Sequence, residues 1–525
     1  MAGERPQFYE NYLTPLTINT HSLTESLQEL RVAVRNGAES IHKSDPIPGK
    51  WNFEGMFKHF PGVALAFLRL NHQSAVISDA GEPSPDYLQH ALQRIPAGLP
   101  DIALRPSRLS PAGSFSPVTA VTLRILSAVA NLDRQTDAKP NISQEDITCL
   151  DDATNLALKN GPLVPHDGRN MGGDEMLFGR AGLLWALLNI RARQFRDETQ
   201  KALSPVLEKI PGLLGVIIDA GRQGSNDFIQ KNGDQDAHPL MYVWMEGYYC
   251  LGAVHGITGI LPILLACRPE ELEEHLPVIG ETITALCKFT IASNGHLPMT
   301  LPPFSYGQQT ELVQLCHGSP GILILLATAL KNEKLTRKHW SPEWDQAIDL
   351  ATDRVWKEGI LSKGGSLCHG IAGNGWPWLM LHDTFKYHAT AVHSARCENL
   401  HLPHESNLPE GHLGNKLTPD YFLSRALAFM LHSRETRPYN TAPATADRDY
   451  RMPDDPYSLF EGLAGNVCAW TDTCAVLQAR LRSSEYYQEN GGSFSGLAED
   501  PIFQEAASCT LGFPLIGGNG VHGLL

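Results

Sequence analysis

One short pattern recurs along the chain and constrains its fold more than any other feature. A G-x-x-G core, or its second glycine alone, leads into a long apolar run. The copies are HFPGVALAFLRL from His59, GRAGLLWALLNI from Gly179, HGITGILPILLAC from His255, CHGSPGILILLATAL from Cys316, CHGIAGNGWPWLML from Cys368 and FEGLAGNVCAW from Phe460. A seventh, degenerate copy, SFSPVTAVTLRILSAVANL, starts at Ser114. The second positions of the core are Gly62, Ala120, Gly182, Gly259, Gly321, Gly373 and Gly465, and most spacings fall between 52 and 77 residues. Recurrence of this kind marks a repeat architecture. The period suits two helices plus their loops in each repeat.

The apolar runs are nearly continuous, as in GILILLATAL, so each predicts a helix buried almost all round. Stretches between them, such as SLTESLQELRVAVRNGAESI and EELEEHLPVIGETITALCKFTIA, place apolar residues at three- and four-residue spacing opposite charged faces. Strand signals are sparse, and no Asn-Gly hairpin sits between alternating runs. The expectation is an all-α fold in which seven buried helices alternate with amphipathic ones in a closed double ring. Small residues at G-x-x-G let the loops turn sharply and bring the helix starts toward a common centre. The chain reads as a single domain over residues 1–525. A segment at about 386–418 inflates the sixth spacing to 92 and reads as a surface insertion. Its histidines (His388, His393, His401, His404 and His412) lack regular ligand spacing, which favours a solvated loop over a second metal site.

If the helix starts converge, so do the residues beside them. The tetrad Leu-Cys-His-Gly occurs twice, at Leu315–Gly318 and Leu367–Gly370. Cys316, Cys368 and His369 would then supply two sulfurs and one imidazole nitrogen. That donor set suits Zn2+, and three protein ligands leave a fourth position open. Zinc deprotonates a bound thiol, so such a site would serve thiol chemistry. The competing reading is that both cysteines are core residues of a repeat. His255 opens its own helix and is a candidate acid/base group or a core histidine. Lys363 is either a solvated loop lysine or a holder of a carboxylate or phosphate. Asp174, Glu175 and Glu461 are further acidic candidates.

A net charge of −15 without a Lys/Arg stripe argues against nucleic acid and anionic membrane surfaces as partners. No apolar run has the length of a membrane span. The start of the chain lacks the layout of a signal peptide. The expectation is a cytoplasmic protein whose ten scattered cysteines are reduced rather than a disulfide framework.

The segments HGITGI, LCHGSPGI, KGGSLCHGIAGNG and SLFEGLAGNVCAW, in that order, resemble the eukaryotic branch of the lanthionine synthetase C-like family. The resemblance implies an α/α toroid of seven inner and seven outer helices. It implies Zn2+ on Cys316, Cys368 and His369, with His255 as the acid/base residue. Bacterial relatives activate a cysteine thiol for addition to a dehydroamino acid. Eukaryotic members are described as binding glutathione, eliminating phosphate from phosphoserine or phosphothreonine and adding glutathione to the product. Lys363 matches a lysine of these members, Arg5 is the candidate for their N-terminal basic residue, and Glu175 is preferred to Asp174 as the acidic one. Leu312 stands where the bacterial enzymes carry arginine, which argues against peptide cyclisation. The implied function is a zinc-dependent, lyase-type thiol addition to peptides or proteins. The alternative is a non-catalytic zinc- and glutathione-binding sensor or adaptor.

Overall fold

The computed structural model describes residues 5–78, 85–132, 142–303, 311–441 and 448–517. Fourteen of its helices alternate between two kinds. They are α1 (Thr20–Ser44), α2 (His59–His72), α3 (Tyr87–Leu92), α4 (Val118–Leu132), α5 (Gln144–Lys159), α6 (Arg180–Arg191), α7 (Ile210–Asn232), α8 (Ile257–Leu265), α9 (Leu276–Ala292), α10 (Ser319–Lys331), α11 (Pro342–Glu358), α12 (Ile371–Tyr387), α13 (Pro419–Ser433) and α14 (Leu463–Glu489). Shorter helices fill some of the connections.

The even-numbered helices carry the apolar runs. In α10 every residue from Ser319 to Leu330 is buried, and in α12 every residue from Ile371 to Phe385. The odd-numbered helices bury one stripe each. In α1 it includes Leu23, Leu27, Leu30, Val34 and Ile41, the spacing of a single helix face. Polar caps start several of them: Asn19 and Ser143 accept from the N3 amides of α1 and α5. Each even helix packs on the next, in the order α2, α4, α6, α8, α10, α12, α14, and α14 packs back on α2. The odd helices lie against this cycle, with α1 on α14 and α13, α11 on α10 and α9, and α13 on α12.

The glycine pattern has a steric cause. The first glycine caps the helix, as at Gly179, Gly256, Gly318, Gly370 and Gly462. At Gly318 the backbone takes φ +131°, where a side chain is strained. The second glycine lies at the third helical position at Gly182, Gly259, Gly373 and Gly465 and at the fourth at Gly62, each against a carbonyl six residues earlier in the same chain, whereas Gly321 faces the Thr258 hydroxyl. A Cβ on Gly373 would stand 1.8 Å from the Leu367 oxygen, and one on Gly259 1.7 Å from that of Ala253.

Backbone hydrogen bonds join the loops that precede the even helices. Phe57 N donates to Ala112 O (2.8 Å), Leu109 N to Phe178 O (2.9 Å) and Ala253 N to Leu315 O (3.4 Å). Cys316 N donates to Cys368 O (3.2 Å), Cys368 N to Phe460 O (2.8 Å) and Phe460 N to Phe57 O (3.1 Å).

Sparse strand signals pointed to an all-α chain, and the mostly helical structure adds a small antiparallel sheet. It has five short strands in sequence order: β1 (Leu163–His166), β2 (Arg169–Gly172), β3 (Val243–Met245), β4 (Tyr248–Cys250) and β5 (Thr300–Leu301). Asp167-Gly168 makes the first hairpin, with φ +47° and +78°, the positive values a type I′ turn requires. Strands of two to four residues are too short to show an alternating pattern. Within 386–418, Ala389–Asn399 is helical, and Arg396 donates to the buried Asp345 carboxylate at 2.8 and 3.0 Å.

Candidate active site

Cys316 lies two residues before Gly318, the cap of α10, and Cys368-His369 immediately before Gly370, the cap of α12. The Cys316–Cys368 backbone bond sets these loops side by side. The ligand atoms of Cys316, Cys368 and His369 lie within 4.8 Å of one another, and they form the one such His/Cys/Asp/Glu group of three among the described residues. None of the five histidines between residues 388 and 412 belongs to it.

The two buried thiols are hydrogen-bonded to each other. Hydrogen bonding from Cys368, aided by His369, outweighs burial and holds the Cys316 thiol well below the ordinary range. Cys368, the donor, is raised well above it by the same bond and by burial. Two sulfurs and an imidazole at this separation match the donor types zinc takes, with one position left for an exogenous ligand.

His255 sits in the loop before α8. Its Nδ1 lies 2.5 Å from Glu175 Oε2, and both side chains are largely buried. Burial acts to lower the His255 pKa, but the Glu175 carboxylate outweighs it and the net shift is upward. With Nδ1 engaged, Nε2 is the nitrogen left to exchange a proton. Trp244, on β3, stacks on the His255 ring at 4.9 Å. The His317 ring lies 6.2 Å from that of His255, so the acid/base candidate faces the Cys316 loop. Asp174, the other acidic candidate, is committed to Arg180 at 2.7 Å.

Lys363 and Arg5 line one cavity of about 550 Å³, together with Gln7, Leu312, Gln314 and Arg451. The N-terminal segment reaches it through Tyr9 N to Ile360 O (2.8 Å) and Ser362 N to Gln7 O (3.2 Å). Arg5 pairs with Asp449, both half exposed. The Lys363 charge acts on His317 and on Cys368, which ties this cationic cavity to the cysteine cluster. Glu461 also acts on Cys368 and pairs with Lys58 at 3.0 Å.

Sequence reasoning missed Trp244, Phe178 and Arg108. The Phe178 ring lies 6.5 Å from His255, and the Arg108 guanidinium stacks over Phe178 at 4.1 Å. The signals that could have found Trp244 are two Gly-containing hairpins, Asp167-Gly168 and Glu246-Gly247, and neither marks Phe178 or Arg108. The sheet they build carries Trp244 to the site.

Fold and site together define a helical-repeat protein with a Cys-Cys-His cluster at the starts of its buried helices. The chain belongs to the lanthionine synthetase C-like protein family, whose model matches residues 60–417, more than half of it. A glutathione S-transferase LANCL1 from Danio rerio is 26% identical over 468 residues, covering 88% of this chain and 90% of the relative. A LanC-like protein, GCL1, from Arabidopsis thaliana is 27% identical over 327 residues, covering 62% of this chain and 60% of the relative. Among solved structures, a nisin cyclase shares 14% identity at a TM-score of 0.33, covering 79% of this chain and 98% of that one. That likeness is too slight to bear on the fold.

Proposed function

We propose that this chain is a cytoplasmic, zinc-dependent enzyme that adds glutathione to dehydroamino acids in peptides or proteins, after eliminating phosphate from phosphoserine or phosphothreonine. The observation that carries the reading is the Cys316–Cys368–His369 cluster, with the Glu175–His255 pair facing the Cys316 loop. The name of the Danio rerio relative supports glutathione as the thiol. Cys316, Cys368 and His369 would hold zinc, which would supply a Lewis acid that keeps a thiol deprotonated at neutral pH. His255 delivers a proton to the substrate α-carbon as sulfur bonds to the β-carbon. In the elimination step the same residue removes that proton while phosphate leaves. Glu175 keeps the imidazole oriented and basic. Lys363 and Arg5 bind the phosphate or a glutathione carboxylate. We also propose that the fourteen helices form an α/α toroid, with the even helices inside and the odd ones outside. The closed cycle of even-helix contacts supports this.

The test is mass spectrometry of a phosphoserine peptide and its dehydroalanine counterpart, each incubated with glutathione and zinc-loaded protein. An adduct on both, above the uncatalysed background, is expected. An adduct on the dehydroalanine peptide alone would restrict the enzyme to addition. Glutathione binding with no adduct on either would favour the sensor or adaptor reading.

A further inference from the structure

The metal ligands and acid/base residues gather at the N-terminal ends of the even helices. The opposite ends of α10 and α12 hold a different feature. A cavity of about 860 Å³ opens there, and Lys331, the last residue of α10, and Tyr387, the last of α12, line it. The seventeen residues of α12 separate it from the cysteine cluster by roughly 25 Å at about 1.5 Å per residue. Nothing in the proposed chemistry uses it.

Its lining is mostly apolar, with Phe494, Leu497 and Phe503 over the helix ends. The charged groups in the lining are Lys331, Lys386 and Asp383, and Asp383 is hydrogen-bonded to His382 at 3.0 Å. His388 also lines it, and burial lowers its pKa, which keeps the ring neutral near pH 7. The net charge of the lining is therefore one positive. Burial, reinforced by Arg480 and opposed by Asp420, brings the Lys386 ammonium down to a pKa of about 8. It lies 4.5 Å over the Phe494 ring.

Two hydroxyls provide an independent sign of a ligand. Ser483 is fully buried and its Oγ has no hydrogen-bond partner among the described residues. The buried Tyr387 Oη likewise has none. Both residues line the cavity. Buried polar atoms are rarely left unpaired, and two in one apolar cavity beside two ammonium groups fit an anionic head that accepts from them. A phosphate dianion fits poorly. The helix ends here present carbonyl groups, the negative end of the dipole, which oppose a dianion about twice as strongly as a monocarboxylate, and phosphates favour helix N-termini. A volume of this size suits a ligand with a substantial apolar body.

We propose that this cavity is a binding site for an amphipathic monocarboxylate, its carboxylate between Lys331 and Lys386 and within reach of Ser483 and Tyr387, its apolar body against Phe494, Leu497 and Phe503. The site is separate from the zinc and glutathione chemistry.

Isothermal titration of the full-length protein with octanoate, 1-octanol and octyl phosphate tests it. Octanoate is expected to saturate one site, with octanol weaker by about tenfold or more, the value of a charge-assisted contact in an enclosed site. Lys386→Met should weaken octanoate similarly. Phe494→Ala alters a half-exposed residue, which leaves folding undisturbed, and should also weaken it. Cys316→Ala should leave octanoate binding unchanged, so adduct formation can fail without affecting this result. No saturable octanoate binding, octanol binding equally well, tighter binding of octyl phosphate, or wild-type affinity in both cavity variants would each overturn the proposal. Loss of octanoate binding in Cys316→Ala would assign the acid to the metal site and overturn it as well.

Discussion

The tightest link between repeat geometry and metal chemistry is Gly373, and Gly373→Ala is the substitution that probes it. A Cβ there stands 1.8 Å from the Leu367 carbonyl oxygen, while real contacts of this kind are essentially never under 3.0 Å. The carbonyl must therefore retreat by about 1.2 Å at least. It has little freedom to do so, because the Leu367 and Cys368 amides both donate to Phe460 O, at 3.0 and 2.8 Å. The displaced segment carries Cys368 and His369. Metal–ligand distances tolerate only about 0.2 Å, so zinc affinity should fall by at least the ~10- to 100-fold seen when a ligand's support is lost. Stability should fall by about 1–3 kcal/mol, as for an overpacked core. Helix propensity alone would favour alanine by about 1 kcal/mol. Gly215→Ala in α7 is the control: nothing lies within 4 Å of its added Cβ, so it should gain stability and leave zinc binding alone. Competition with a chromophoric chelator reads zinc affinity, and urea unfolding reads stability. A Gly373→Ala protein with wild-type zinc affinity would refute the claim that the glycine pattern exists to seat the ligand loops.

Other outcomes follow from the same geometry. Cys316→Ala should lose bound zinc and adduct formation together, whereas His255→Ala should keep zinc and lose turnover; metal analysis alongside the peptide assay separates the two. Glu175→Gln removes the carboxylate that raises the His255 pKa. That pair stabilises the fold fully below the ordinary histidine value of about 6.5, and the contribution is lost as pH rises through the higher folded value. The gap between wild-type and Glu175→Gln urea midpoints should thus be widest at acidic pH, about 1.5–3 kcal/mol for a charged hydrogen bond, and narrow in alkali; an equal gap at both ends contradicts it. Arg396→Met strands the buried Asp345 carboxylate and should cost about 3–5 kcal/mol. Adding Asp345→Leu should restore most of that loss in the same unfolding assay.

Much of the helical organisation was legible because its cause is local. A long apolar run led by a glycine reads as a buried helix, and that glycine mostly answers a carbonyl of the preceding loop. Five recurrences of that collision leave a readable trace, and even the degenerate copy at Ser114 leads into α4. Cys316 and Cys368 were legible for a related reason, since matched positions in adjacent repeats lie side by side. The surroundings of His255 were not. Trp244 reaches it from a strand of three residues, and Arg108 through Phe178; such contacts depend on loop paths that no periodicity encodes. Glu175 and Asp174 are neighbours in sequence, and only the direction of each side chain separates the His255 partner from the Arg180 partner.

The hydrogen bonds that run from loop to loop have a further consequence. Open stacks of repeats grow or shrink at their ends, and evolution edits them by adding or deleting units. Here the last buried helix rests on the first, and Phe460 is bonded both to the Cys368 loop and, across the join, to Phe57. There is no end at which a unit could be gained. Removing one repeat would leave two unmatched faces and slacken the loops that carry the cysteines, even if the deleted repeat lay far from them. Innovation in this architecture is therefore confined to the connections, where segments such as 386–418 can lengthen without breaking the circuit.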